Sequence, residues 1–384
     1  MSGTSPPVSR VGVVGGGQLA RMMGEEAHSA HVELVVLAAS LDDCAVATVD
    51  RVIVGRADDL DALEALSRES DLVTFDHELV DLDVLAGLEA RGVVLRPSSS
   101  ALRYSVDKAH QREAFAARGF PLPPFAVVRD ESDLAILQDW SERHDGAPVL
   151  KAARGGYDGR GVHFPNDDDE ARRLARVMLQ SGGVVVEERV ALVREVAQLV
   201  VRSVRGQVAT YPLVTTVQSG GMCTEVRFPA DVDVEISAQA DQVGRDIAEF
   251  IGLVGVMAVE YFLTPRGLLI NELALRPHNS GHWTIEGCAT SQFANHLRAV
   301  SGQDLGATHP LHAAAVMVNV IGDASPGSLD AARDVPGVHV HDYGKSWRPG
   351  RKLGHVTAVG DELQSLHVRA WRSARAYGTT TQEA

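Results

Sequence analysis

Cysteine is scarce in this chain. Of 384 residues, three are cysteines, Cys44, Cys223 and Cys288. An odd, widely spaced set of three supports neither a disulfide framework nor a thiolate zinc site, and fits a reducing cytosol. Basic charge is also short: 36 Lys and Arg against 51 Asp and Glu leave a net charge of −15. That argues against a surface that coats nucleic acid, whose phosphates demand positive potential, while leaving room for a local basic pocket for a small phosphorylated ligand. Long apolar runs are missing too. None approaches the ~20 residues needed to span a bilayer, and the first ten residues lack the apolar core of a secretory signal. A cytoplasmic protein with no membrane and no nucleic-acid partner is the expectation. The Ser/Pro-rich start and the stretch 379–383 read as disordered ends.

What is present is arranged in regions, and a chain of this length suggests two or three domains. Residues 1–100 alternate short β-branched runs (11–14, 32–37, 52–54, 72–75 and 93–95) with helical spacing at 18–29 and 60–69. This rhythm predicts a Rossmann-like parallel sheet with helices on both faces. Residues 101–118 read as one amphipathic helix ending at Gly119. Over 101–302, runs at 149–151, 184–187, 196–202 and 208–212 lie beside one another, which predicts an α+β region with antiparallel sheet. Residues 303–384 form a smaller region, with strands at 315–320 and 338–343 and a basic loop at 345–352.

The densest chemistry lies in 256–284. Glu260 and Glu272 each end an apolar run, and the turn-like Thr264-Pro265-Arg266-Gly267 separates them. A hairpin would bring both carboxylates together, with Asn271 beside them and His278-Asn279-Ser280-Gly281-His282 following. Such a set of oxygen donors suits a hard cation that bridges to phosphates, such as Mg²⁺ or Mn²⁺; stray glutamates on a solvated hairpin are the plain alternative. Lys151 ends another run and precedes Gly155-Gly156-Tyr157-Asp158-Gly159-Arg160-Gly161. A lysine and a glycine-rich loop can cover nucleotide phosphates, although the stretch has neither P-loop nor kinase spacing. The run 184–187 ends in Glu187, Glu188, Arg189 and Val190, with Glu195 soon after, and could present backbone to an adenine and a carboxylate to a ribose.

Two segments suit an anionic acceptor. Gly15-Gly16-Gly17-Gln18-Leu19 lies between a strand and a helix, where glycines let the backbone approach a phosphate. The second strand ends at Leu37-Ala38-Ala39-Ser40 without the acidic residue a nicotinamide ribose wants. The loop 345–352 holds Lys345, Arg348, Arg351 and Lys352, and arginine clasps phosphate bidentately. Asp76-His77-Glu78 follows the strand at 72–75, so Glu78 is placed to face a polar ligand beyond a strand end.

Taken in order, GGGQL at 15–19, GGYDGRG at 155–161, NELA with RPHNSGHWT at 271–284 and RPGRKLGH at 348–355 resemble ATP-grasp enzymes. More narrowly, they resemble the N5-carboxyaminoimidazole ribonucleotide synthetases of purine biosynthesis. The resemblance covers nearly the whole chain. It implies an ATP-grasp fold of mixed α/β and α+β class, with a Rossmann-like first domain, a central nucleotide domain and a small last one. It implies ATP as co-substrate, bicarbonate and aminoimidazole ribonucleotide as the other substrates, and a homodimer. Lys108, Lys151, Gly156 to Gly161, Glu187 to Val190, Glu195, Gln218 and Asn271 match the family's ATP contacts; Glu260 and Glu272 match its metal ligands. Gly17, Gln18, Leu19, Glu78, Tyr157, Arg160, Lys345 and Arg351 match the residues that hold the ribonucleotide. Lys151, Arg160, His278 and Asn279 fall where the reaction occurs. A formate-dependent glycinamide ribonucleotide transformylase, an NAD-dependent oxidoreductase and a non-catalytic nucleotide sensor are the competing readings.

Overall fold

The computed structural model describes residues 8–144, 146–156, 161–180, 182–322 and 326–379. The first region is a four-stranded parallel sheet in the order Arg51–Val54, Glu33–Ala38, Arg10–Val14, Leu72–Phe75. Alternation along the strands sends Val11, Val13, Leu34 and Val36 to a core with Leu19, Met22 and Met23 of the helix Gln18–Ala27. The other face, through Val14, Val35 and Leu37, meets Leu63 and Leu66 of the helix Leu60–Glu69. The expected helices on both faces are therefore there. The expected fifth strand at 93–95 is not. It contributes a single bridge, Val73 to Leu95.

Residues 101–118 do not form one helix. Ser99–Val106 and Lys108–Arg118 are separate helices broken at Asp107, whose side chain accepts from His110 N at 3.0 Å and caps the second. The break turns the face carrying Lys108 and Arg112 toward the nucleotide domain. That domain combines two sheets. The smaller is antiparallel, in the order Phe125–Val128, Val184–Glu187, Val149–Ala152, Val162–His163. The larger has nine strands. Along its path run Gly267–Ala274, Gly255–Thr264, Arg194–Arg202, Val214–Ser219, Met222–Phe228, Ala314–Ile321, Lys352–Gly360 and Val338–Asp342, with Val208–Thr210 pairing Arg194–Arg202 off the path.

The last region therefore continues the central sheet, through pairing of Met222–Phe228 with Ala314–Ile321. Its helix Leu363–Tyr377 covers one face of these strands. A buried clasp fixes that helix: Glu225 accepts from Trp371 Nε1 at 2.8 Å, lies 2.8 Å from His367 Nδ1, and pairs with Arg227 at 2.6 Å. Among the described residues no helix is long and apolar enough to cross a membrane.

Candidate functional site

The hairpin Gly255–Thr264/Gly267–Ala274 places Glu260 directly opposite Glu272. The register then slips, so that Tyr261 faces Ile270 and Asn271 is the extra residue of a bulge. Strict alternation would point Asn271 and Glu272 to opposite faces; the bulge brings both to the site. Lys108 Nζ donates to Glu272 Oε1 at 2.9 Å, and Lys151 Nζ donates to Asn271 Oδ1 at 2.9 Å. Lys151 also pairs with Glu187 Oε2 at 2.7 Å and lies 5.7 Å from the centre of the Phe262 ring.

Charge is distributed unevenly over this cluster. Burial works to raise Glu187, but Arg112 and Lys151 outweigh it and hold the carboxyl at about 2. Burial also works to raise Glu272, and the Lys108 ammonium holds it below the usual carboxylate range. Glu260 has no such partner. Burial, then the facing Glu272 and then Glu195, push it up to about 8. Among the described residues no cluster of three His, Cys, Asp or Glu could hold a metal. The two opposed carboxylates by themselves fit Mg²⁺, which takes one or two carboxylates and completes its shell with phosphate and water.

Next to Glu260 lies the 278–282 segment. His278 Nδ1 lies 2.9 Å from Ser280 Oγ and 3.3 Å from Ser280 N, and its Nε2 lies 3.6 Å from Glu260 Oε1. Burial, aided by Arg276 and Lys352, lowers His278 to about 3, so the ring is neutral. The Asn279 Nδ2 amide is buried with no acceptor in close hydrogen-bond reach among the described residues, and its side chain also acts on the Cys223 thiol. It is a donor that can turn to a ligand oxygen.

A separate cleft of about 300 Å³ is lined among others by Gly16, Gly17, His77, Lys345 and Arg351. Lys345 Nζ donates to Gln18 Oε1 at 2.5 Å, closing the basic loop onto the glycine turn, and Arg351 donates to Ser346 Oγ at 2.7 Å. Burial lowers Lys345, and repulsion from Arg351 and Lys352 adds to it. The glycine turn is held by Asp76, which accepts from Gly17 N at 2.8 Å and Ala20 N at 2.9 Å. Lys345, Arg351 and the glycine turn before this helix line one cleft, and the carboxylates Asp42, Asp43 and Asp76 line it as well.

Several expected site residues are placed differently. The Gly17 amide is engaged by Asp76, and the Leu19 side chain is core, leaving only its amide for a ligand. Glu78 does not line the cleft described above. Its oxygens accept from Leu275 N at 2.7 Å and face Arg276 at 3.4 Å, so it clasps the first domain to the hairpin's end. The Glu187 carboxylate, sandwiched by Arg112 and Lys151, is not open to a ribose; half-buried Glu195, with no cation in ion-pair reach among the described residues, is the acid left for that task. Glu188 turns away onto Arg266 and lies 3.8 Å from His144, and Arg189 sits 5.5 Å from the centre of the Phe164 ring. Val190 and Gln218 are half-buried, Gln218 at a bulge. Tyr157, Asp158, Gly159 and Arg160 lie outside the described residues. Gly161 O accepts from Ala152 N at 2.8 Å, so the two ends of their loop meet beside Lys151.

One central residue escaped the sequence reading. Arg112, with a side chain only 1% exposed, donates to Glu187 Oε1 at 2.6 Å and to the Asn271 carbonyl at 2.6 Å. It holds both the lysine's partner and the bulge. Its signal was spacing: Arg112 is four residues after Lys108, on the same helix face.

Three family models match the chain in order: a ribonucleotide synthetase preATP-grasp domain at residues 8–105, an ATP-grasp domain at 113–293 and a phosphoribosylaminoimidazole carboxylase C-terminal domain at 315–369. An N5-carboxyaminoimidazole ribonucleotide synthase of Mycobacterium tuberculosis is 43% identical over 370 residues, 94% of this chain and 86% of that protein. The crystal structure of N5-carboxyaminoimidazole ribonucleotide synthetase from Thermus thermophilus is similar with a TM-score of 0.87 at 36% identity, covering 97% of this chain and 100% of that one. A structure of the Aspergillus clavatus synthase in complex with ADP and 5-aminoimidazole ribonucleotide has a TM-score of 0.86 at 30% identity, covering 96% and 98%.

Proposed function

The chain belongs to the N5-carboxyaminoimidazole ribonucleotide synthase family, and from that premise we propose how its residues divide the work. It is an ATP-dependent ligase of purine biosynthesis that carboxylates 5-aminoimidazole ribonucleotide. The carboxyl source is bicarbonate. ATP transfers its γ-phosphoryl group to a bicarbonate oxygen, giving carboxyphosphate and ADP. Cleavage of the carboxyl C–O bond then yields CO₂ and phosphate. The exocyclic amine adds to CO₂, forming the N–C bond and losing one proton.

The observation that carries this reading is the presence of two sites on one chain: the Lys108–Lys151–Asn271–Glu272 cluster for a nucleotide and the Lys345–Arg351 cleft for an acceptor phosphate. Lys151 and Lys108 offset phosphate charge, since phosphoryl transfer needs mainly positioning and neutralisation. Glu260 and Glu272 would hold Mg²⁺, which supplies charge neutralisation between phosphate oxygens when bound. Asn279 offers its buried amide to a carboxyl oxygen, and the neutral His278 ring stands beside it. Glu195 faces the nucleotide's hydroxyls. The protein works as a cytoplasmic homodimer.

The test is ADP release measured with ATP alone, then with bicarbonate, ribonucleotide and both. Full turnover needs all three substrates. Activity with formate and glycinamide ribonucleotide would favour a transformylase; ATP binding without any ADP release would favour a sensor; NADH binding by fluorescence titration would favour an oxidoreductase. Arg351→Ala is expected to raise KM for the ribonucleotide by one to two orders of magnitude, the loss of a charge-assisted phosphate contact of about 1.5–3 kcal/mol, with KM for ATP nearly unchanged. Equal losses for both substrates would contradict the division of the site.

A further inference from the structure

Gln292 opens the helix Gln292–Ser301 and is fully buried. Its Oε1 accepts from His278 N at 2.8 Å and its Nε2 donates to His278 O at 2.7 Å. The same Nε2 lies 3.1 Å from His282 Nδ1. A primary amide carries a donor and an acceptor side by side, so it can pair with both backbone groups of one residue. The clasp continues through the main chain: Gln292 N donates to Thr284 Oγ1 at 2.9 Å, and Thr284 Oγ1 donates to Gly281 O at 2.6 Å. A Cβ at Gly281 would come 2.7 Å from Gln292 Oε1, so the loop is built around this side chain.

The helix behind Gln292 also reaches the acceptor cleft. Phe293, Leu297 and Val300 share a core with Leu19 and Met23 of the helix that follows the glycine turn lining that cleft. Ser291 Oγ donates to Glu26 Oε1 of the same helix at 2.7 Å. One packed unit thus joins the acceptor cleft to His278 and Asn279.

We infer that Gln292 is a positioning residue that fixes His278 and Asn279 relative to the acceptor, so that the carboxyl group activated by ATP is taken up by the amine before water intervenes. This rests on the reading that His278 and Asn279 face the carboxyl donor. A misplaced loop still permits phosphoryl transfer from ATP but lets carboxyphosphate hydrolyse, which returns bicarbonate and phosphate at the expense of one ATP and forms no N–C bond.

The test is the ratio of ADP released to ribonucleotide carboxylated. Gln292→Glu keeps the acceptor for His278 N and removes the donor; Gln292→Asn keeps the amide and withdraws it by one carbon. Both are expected to raise the ratio well above the wild-type value, with carboxylation falling by up to about a hundredfold and KM for ATP retained. Loss of stability alone would lower both products together and leave the ratio unchanged. Asn279→Ala is the companion variant and is expected to uncouple in the same way. A wild-type ratio in both Gln292 variants overturns the inference. If Asn279→Ala still uncouples then, the reading of the loop stands; if it too keeps the wild-type ratio, that reading falls as well.

Discussion

Glu272→Gln leaves a folded protein whose kcat drops by about 10²–10³-fold, roughly 2.7–4 kcal/mol of lost transition-state stabilisation. The fold survives because the Glu272 side chain is 42% exposed, and glutamine keeps its volume and can still accept from Lys108. Chemistry does not survive, because one of only two facing carboxylates becomes a neutral amide. Glu260 alone cannot substitute. The repulsion from Glu272 that helps push Glu260 up is gone in the variant, but a single carboxylate still offers a cation only half the negative charge of the pair. The measurement is ADP release at saturating ATP and ribonucleotide across a Mg²⁺ titration, with thermal unfolding as the control for folding. A variant that reaches the wild-type maximum at high Mg²⁺ would show that Glu272 is not a ligand.

That this residue could be chosen from sequence alone has a physical reason. Glu260 and Glu272 interrupt apolar strand runs, and a short turn between such runs leaves few registers, so the pair was legible before any coordinates. The same holds for Lys345 and Arg351, which stand out as cations in an acidic chain, and for the parallel sheet, whose βαβ rhythm is periodic. What was not legible depends on contacts far apart in sequence. Glu187 reads as a free acid at a strand end, yet Arg112, 75 residues earlier, takes its charge. Glu78 reads as a ligand group, yet a backbone amide 197 residues later occupies it. The helix break at Asp107 was missed because a capping aspartate between two helical patterns looks like one more polar residue on a solvent face. The run at 93–95 has strand composition but makes only one bridge. The link across the boundary before the last region was hidden for a related reason: strand spacing does not reveal that Ala314–Ile321 pairs with Met222–Phe228 and extends the central sheet.

Arg112 tests how much of the nucleotide site depends on one such distant contact. Arg112→Met is expected to destabilise the protein by about 3–5 kcal/mol, the cost of removing one partner from a buried ion pair. The side chains of Arg112 and Glu187 are 1% and 3% exposed, so water cannot replace the guanidinium. Lys151 would remain as Glu187's only cation, drawn toward it and away from Asn271. The Asn271 carbonyl, which now accepts from Arg112 at 2.6 Å, would lose its buried donor, loosening the bulge that turns Asn271 and Glu272 to one face. Denaturant unfolding should therefore show a lower midpoint, and nucleotide affinity should fall with it. Adding Glu187→Gln to Arg112→Met separates the two effects. It removes the undercompensated carboxylate, so stability is expected to recover in part, a non-additive result for residues in direct contact. Activity is expected to stay low, because Lys151 and the bulge remain without the groups that place them. Full recovery of activity in the double variant would mean that Arg112 serves the fold alone; additive losses of stability would mean that the pair is not coupled as the geometry requires.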